Sequence, residues 1–248
     1  EKNNVYFMCT PFDEPSLEFL DEIGVDIIKI ASFDIGNTPF IEKIALTNRP
    51  VVMSIGGANQ EEIKNSIKVL EEYNCNLAIL HCVSEYPCNF KRLGLANIKA
   101  LCENYPQHTI GSSDHFNGIL SGPVAFLQGA RVFEKHVTLD RSFKGTDHSF
   151  SLEPEGFRKF VRDIKRVKYM LPPKNVDELG HEPVFQKLGK SITVKESLKI
   201  GHRLKRSDLT GKIHLENYIP VRKSENFIGK IIKKEIKAND PIKEDHFS

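Results

Sequence analysis

PVVMSIGGANQEEIKNSIKVLEEYNCNLAILHC, residues 50–82, decides the fold. It begins and ends on short apolar runs, PVVMSI (50–55) and LAILHC (77–82), nearly continuous in hydrophobic character, as in strands buried on both faces. Between them NQEEIKNSIKVLEEY (59–73) carries its apolar residues at the i, i+3, i+4 spacing of a helix. Strand, helix and strand in succession make a parallel βαβ unit.

The same alternation extends outward. Strands are predicted over VYFMCT (5–10), DIIKIA (26–31), HTIGSS (108–113) and RVFEKHVT (131–138). Helical patterns occupy EPSLEFLDEIG (14–24), NTPFIEKIALT (37–47), RLGLANIKALCEN (92–104), NGILSGPVAFLQG (117–129) and PEGFRKFVRDIKRVKYML (154–171). Each strand runs into small or polar residues such as TPFDEPS, SFDIGN, GGANQ, SEYP, SDHFNG and LDRSFKGTDHS. In a (β/α)8 barrel the loops at the C-terminal strand ends build the active site. Six strands are visible where a closed barrel needs eight. The pattern breaks at PPKNVDE, a linker signal, and from Lys187 the texture becomes short and alternating with turn punctuation. The reading is therefore an α/β chain. Residues 1–171 form a partial TIM barrel, 172–186 a linker and 187–248 a small β-rich domain.

With 248 residues, 40% hydrophobic, the chain holds enough apolar material for one large domain and one small one. Its 35 Lys and Arg against 33 Asp and Glu give a formal charge of +2, too weak a field to single out nucleic acid or an anionic membrane as partner. The basic residues between Lys187 and Lys243 lack interleaved stacking aromatics and read as a solvated face. Five cysteines with no CxxC pair suit a reducing cytoplasm. No apolar run approaches the ~20 residues that span a bilayer.

Two stretches concentrate chemistry, GSSDHFNGIL (111–120) and FEKHVTLDR (133–141). Side chains alternate across a strand, so Glu134 and His136 point one way and Lys135 the other, and Ser113 shares a side with His115. Neighbouring parallel strands lie about 4.8 Å apart, which lets the two histidines converge on one divalent ion. Glu134, and with it Asp114, is a candidate ligand or an orienting carboxylate. Imidazole, carboxylate and water suit Mn2+, Zn2+ or Fe2+ better than Ca2+. Lys29 sits inside an apolar strand, where an ammonium needs an anion. Either a substrate phosphate or carboxylate supplies it, with hydroxyls from Thr10, Ser32, Ser54 and Ser113, or Asp34 does so through a salt bridge. SIGGANQEE offers an anion cradle at a helix N-terminus. Tyr86 is either a ligand contact or a cover of the barrel mouth. Asp147 and His148 lie on a Gly-containing loop and read equally as caps. His81 and Cys82 read as packed strand residues, since no activating group for a thiolate is evident.

In order, CTPF, KIAS, SIGG, HCVSEYP, IGSSDH, EKHVT and GTDHSFSLEP make this chain resemble the sialic acid synthase family, which includes N-acetylneuraminate, pseudaminic and legionaminic acid synthases. The likeness covers nearly the whole chain, and it implies that the C-terminal domain is an antifreeze-like SAF module with a β-clip fold. It implies condensation of phosphoenolpyruvate with the open-chain aldehyde of an N-acetylated, mannosamine-like sugar. The products are a nine-carbon 2-keto sugar acid and phosphate. The family's metal-binding histidines match His115 and His136, with Mn2+ expected and Mg2+ or Co2+ as alternatives. Its phosphoenolpyruvate contacts match Thr10, Lys29, Ser32, Ser54 and Ser113, and its sugar contacts match Tyr86 and Asp147. His115, His136, Glu134 and Lys29 are thus the expected catalytic set. The resemblance also implies a domain-swapped homodimer.

The chain departs from the family pattern at Asp34, where Glu is usual, and at Ser84, where Asn is usual. IPVRKSENFIG keeps Arg222 but not the Pro-Gly of the arginine loop that reaches the sugar N-acetyl group. Aligning VYFMCTPF with the third barrel strand implies that strands one and two are missing, so little activity is expected from residues 1–248 alone. Two other readings compete. One is a metal-dependent pyruvate aldolase on the same barrel, which has no need of a phosphate-binding lysine. The other is a carbohydrate-binding relic without catalysis.

Overall fold

The structure is a computed structural model and describes residues 5–247. The chain divides into two compact units, one ending at Pro172 and the other beginning at Pro173. In the first, strand and helix alternate: β1 (Met8–Cys9), α1 (Glu14–Glu22), β2 (Ile27–Ile30), α2 (Thr38–Leu46), β3 (Val51–Ser54), α3 (Gln60–Glu72), β4 (Leu77–Cys82), α4 (Asn97–Asn104), β5 (Thr109–Asp114), α5 (Ser121–Leu127), β6 (Val132–Lys135) and α6 (Pro154–Met170). The six strands form one parallel sheet in sequence order, as the βαβ reading requires. Among the described residues β1 and β6 each have one neighbour, so the sheet is an open half-barrel.

The ends of the elements follow from local chemistry. The Asp13 carboxylate accepts from the Ser16 amide at the start of α1, and Asn59 with Glu62 closes a reciprocal capping box on α3. β6 is shorter than its apolar run. It ends at Lys135, leaving His136 at the strand exit, where its carbonyl accepts from the Leu152 amide.

Period-two alternation sorts the strand residues between two layers. Ile28, Ile30, Val51, Met53, Leu77, Ile79 and Ile110 pack outward against the helices in the main core. Val52, Ala78 and Leu80 fill the concave side. A buried aliphatic of this kind contributes about 1.5–3 kcal/mol. Above that floor the concave side becomes polar, and there the site lies.

The second unit holds most of the stretch expected to be a linker, together with a short helix α7 (Pro183–Leu188) that crosses the expected boundary at residue 187. β7 (Ser191–Val194) and β8 (Leu209–Lys212) form one antiparallel ladder, and isolated bridges such as Leu198 with Ile236 and Arg203 with Ile231 supply the rest of its β character. Ile192, Val194, Leu204, Ile232 and Ile242 give it a core of its own.

Candidate active site

Residues within or just after each of the six strands line one cleft of about 550 Å3 at the C-terminal edge of the sheet. It brings together Thr10, Lys29, Ser32, Ser54, Ser84, Tyr86, Ser113, His115, Glu134 and His136, ten positions that the sequence singled out, drawn from segments as far apart as β1 and β6. Asp147 stands at the rim, its Oδ2 3.6 Å from His136 Nδ1.

The histidines converge as the strand geometry predicts. Their ring centroids lie 5.3 Å apart in an edge-on arrangement. His115 Nδ1 donates to the Val83 carbonyl at 2.8 Å. A carbonyl only accepts, so this bond fixes the tautomer and leaves Nε2 with its lone pair. Burial pushes His115 below the ordinary histidine range, against the opposing bond to Val83, and nearby His136 adds to the depression. Burial thus favours the neutral ring, the form that binds metal.

The spacing of the pair is compatible with a shared divalent ion. The ring separation is one that two imidazoles adopt when each binds the same ion through a nitrogen about 2.1 Å away. Among the described residues no cluster of three or more His, Cys, Asp or Glu side chains could hold an ion. Two imidazole donors would leave the remaining coordination positions of such an ion to water or substrate oxygens.

The two carboxylates considered as further ligands have other occupations. Glu134 Oε2 lies 3.4 Å from Lys29 Nζ and accepts from the Ser54 hydroxyl at 3.5 Å. Asp114 points to the outer face of the sheet, paired with Lys135 at 2.7 Å. Lys29, buried except for 7% of its side chain, thus has a carboxylate partner, but it is Glu134 across the sheet and not Asp34. Asp34 does not line the cleft. It is buried in a 3-10 turn after β2, where Oδ1 accepts from the Asn37 amide group at 3.4 Å. Its carboxylate thus stays with the Asn37 side chain of its own turn.

The SIGG segment acts differently from the expected helix-end cradle. The N-terminal amides of α3 are taken by the Asn59 side chain, and the Glu62 carboxylate occupies the same end, which repels an anion. What SIGG supplies is closeness. A Cβ on Gly56 would lie 2.6 Å from Ser84 Oγ and 2.9 Å from Cys82 Sγ, while its amide donates to the Ser32 hydroxyl at 3.0 Å. The positive pole of the cleft is therefore Lys29 with its surrounding hydroxyls.

Tyr86 lies over His115 with centroids 3.9 Å apart and meets His136 edge-on at 6.0 Å. Burial pushes its phenol above the usual value, and Cys82, Glu134 and Asp147 add to the shift, so it remains a hydroxyl donor. Phe150, fully buried and 5.0 Å from the His136 ring, completes this aromatic wall. The sequence reading missed it. SFSLEP carries an apolar residue between serines, and only the fold places it behind a histidine. His148 is a structural anchor, its Nδ1 2.7 Å from the Thr138 hydroxyl. His81 bonds the Leu93 carbonyl at 2.7 Å on the outer side. Burial raises the Cys82 thiol above its usual range, which suits packing rather than nucleophilic attack. Arg222 belongs to the second unit, where its guanidinium stacks 5.1 Å from the Phe185 ring.

Comparison with known proteins agrees with this geometry. The NeuB family model matches residues 1–175. The chain is 34% identical to the N,N'-diacetyllegionaminic acid synthase of Campylobacter jejuni, over 98% of this chain and 74% of that protein. It is 33% identical to human N-acetylneuraminate-9-phosphate synthase, over 99% of this chain and 68% of that protein. Among solved structures, an N-acetylneuraminic acid synthetase from Leptospira borgpetersenii superposes with a TM-score of 0.67 at 37% identity, covering 73% of this chain and 64% of the other. The chain thus spans about two thirds to three quarters of these relatives, and the family model covers most of it: it belongs to the NeuB family.

Proposed function

We propose that this protein condenses phosphoenolpyruvate with the open-chain aldehyde of an N-acetylated, mannosamine-like sugar, giving a nine-carbon 2-keto sugar acid and inorganic phosphate. The observation that carries the reading is the placement of a buried lysine and a pair of imidazoles in one hydroxyl-lined cleft. That combination suits an anionic donor beside a polarised carbonyl. The family relatives, each named as a synthase of a sialic or legionaminic acid, support it.

In this reading Lys29 holds the phosphate and carboxylate of phosphoenolpyruvate, with Thr10, Ser32, Ser54 and Ser113 donating hydroxyl hydrogens. His115 and His136 would hold the divalent ion, Mn2+ by expectation, which when bound supplies Lewis-acid polarisation of the sugar aldehyde oxygen. C3 of phosphoenolpyruvate then bonds to the aldehyde carbon, whose oxygen takes up a proton. Water adds to the electron-deficient C2, and Glu134, beside Lys29, accepts the proton it loses. Collapse at C2 breaks the bond to the phosphate oxygen, the remaining hydroxyl proton leaves with the phosphate, and the ketone is left. Tyr86 and Asp147 orient the sugar at the rim, and the tyrosine ring shields the histidines from bulk water. The second unit is, in the same reading, the antifreeze-like module.

Phosphate release from phosphoenolpyruvate, with Mn2+ and either N-acetylmannosamine or a 2,4-diacetamido-trideoxyhexose, tests the proposal. Release should require one of the sugars and fall at least ~100-fold in His115→Ala and His136→Ala, several kcal/mol of charge stabilisation being lost with the ion. Reversible consumption of free pyruvate would instead indicate the aldolase. Sugar binding without release, unaffected by the two substitutions, would indicate the carbohydrate-binding relic.

A further inference from the structure

On the outer face of the sheet, away from the cleft, Asp114 and Lys135 form the most enclosed ion pair among the described residues, with 4% and 1% of their side chains exposed. They are direct register partners at the ends of β5 and β6. The residue that follows each strand is a cleft histidine, His115 after Asp114 and His136 after Lys135. Asp114 Oδ1 accepts from the Phe116 amide at 2.9 Å, and Oδ2 accepts from Lys135 Nζ and the Ser121 hydroxyl of α5. Lys135 also donates to the Phe116 carbonyl. His115 is thereby held between two fixed residues, and the fixing group on the opposite strand is the immediate neighbour of His136.

Hydrophobic residues of similar volume would fill this space between sheet and helices with no desolvation to offset, so stability alone does not explain a buried ion pair here. What an ion pair adds is direction. Its hydrogen bonds have defined angles and partners, whereas an apolar contact tolerates sliding of one strand end against the other. We propose that Asp114 and Lys135 are positioning residues, a clamp on the back of the sheet that sets the spacing of His115 and His136 and thereby the affinity of the cleft for its divalent ion. This inference rests on the metal-binding reading of the histidine pair.

The test is calorimetric titration of the intact protein with Mn2+ alone, paired with thermal unfolding. The variant is Asp114→Asn with Lys135→Met, which removes both charges together. It should unfold cooperatively yet bind Mn2+ about 10- to 100-fold more weakly, the range found when groups that orient metal ligands are lost. Ile67→Val, a core change in α3 with no contact to either histidine, should soften the fold and leave Mn2+ affinity unchanged. Should the double variant not fold, Ser121→Ala removes one donor to Asp114 and should weaken Mn2+ binding several-fold. A folded clamp variant within twofold of the parent overturns the inference, as does equal weakening by Ile67→Val. If the parent itself does not bind Mn2+, the metal reading falls and takes this inference with it. If the parent binds and the clamp variant binds equally, only the inference falls.

Discussion

Replacing Lys29 with methionine separates its pairing with Glu134 from its proposed hold on the substrate anion. Methionine keeps most of the buried aliphatic stem, so packing in β2 is retained. The loss falls on Glu134, but one third of that side chain is exposed and water replaces much of the missing partner, so stability should drop by only ~1 kcal/mol. Substrate binding should suffer more. A hydrogen bond to a charged group contributes about 1.5–3 kcal/mol, equivalent to about 10- to 150-fold in KM for phosphoenolpyruvate. Steady-state phosphate release, measured at saturating sugar and Mn2+, reads this directly. Lys29→Arg should recover part of the loss. The informative variant is Lys29→Met with Glu134→Gln, in which no charge is left unpaired. Stability should return while KM stays high, because the substrate anion still lacks its cation. A KM within twofold of the parent in Lys29→Met, or full recovery of KM in the double variant, would refute the assignment and make Lys29 only a counter-ion for Glu134.

Two further predictions concern the scaffold. In Gly111→Ala the new methyl would lie 2.3 Å from the Val132 carbonyl oxygen and 2.4 Å from Leu80 Cδ2. Backbone cannot yield there as a side-chain tip can, so a loss of ~1–3 kcal/mol or more, or insoluble protein, is expected in a melting comparison. In the second unit Asp208 pairs with His202 at 2.7 Å. Burial tends to raise its pKa, but bonds from His202 and the Lys205 amide outweigh that and hold it below the ordinary 3.8. A depressed carboxylate stabilises above its unfolded pKa and loses that contribution as pH falls through the folded value. An NMR titration of the Asp208 carboxyl should therefore give a midpoint under 3.8, moving upward in His202→Ala. No movement would show the pair to be inert.

Much of the cleft was legible because a parallel strand is a simple ruler. Continuous apolar runs identified β2 to β4, and alternation placed Glu134 and His136 on the concave side and Lys135 on the other. The loops after the strands could be expected to share one edge for the same reason, since every strand of a parallel sheet ends on the same side. The departures came where two groups had to choose among partners. Asp34 was read as a candidate partner of Lys29, but Glu134 takes that place and Asp34 meets Asn37. Asn59 and Glu62 spend the helix end that was read as an anion cradle, a local choice that the capping-box spacing already contained.

The sequence by itself determined which residues lie on which face and at which end of each strand, because those are properties of a repeating backbone read two residues at a time. Tertiary structure decided who meets whom. The Lys29–Glu134 pair joins residues on β2 and β6, Phe150 reaches His136 from a loop, and Asp114 turns from candidate ligand to half of a buried ion pair. Such pairings depend on the curl of the sheet and on competition among neighbours for a few unsatisfied charges, and neither is a property of any one segment.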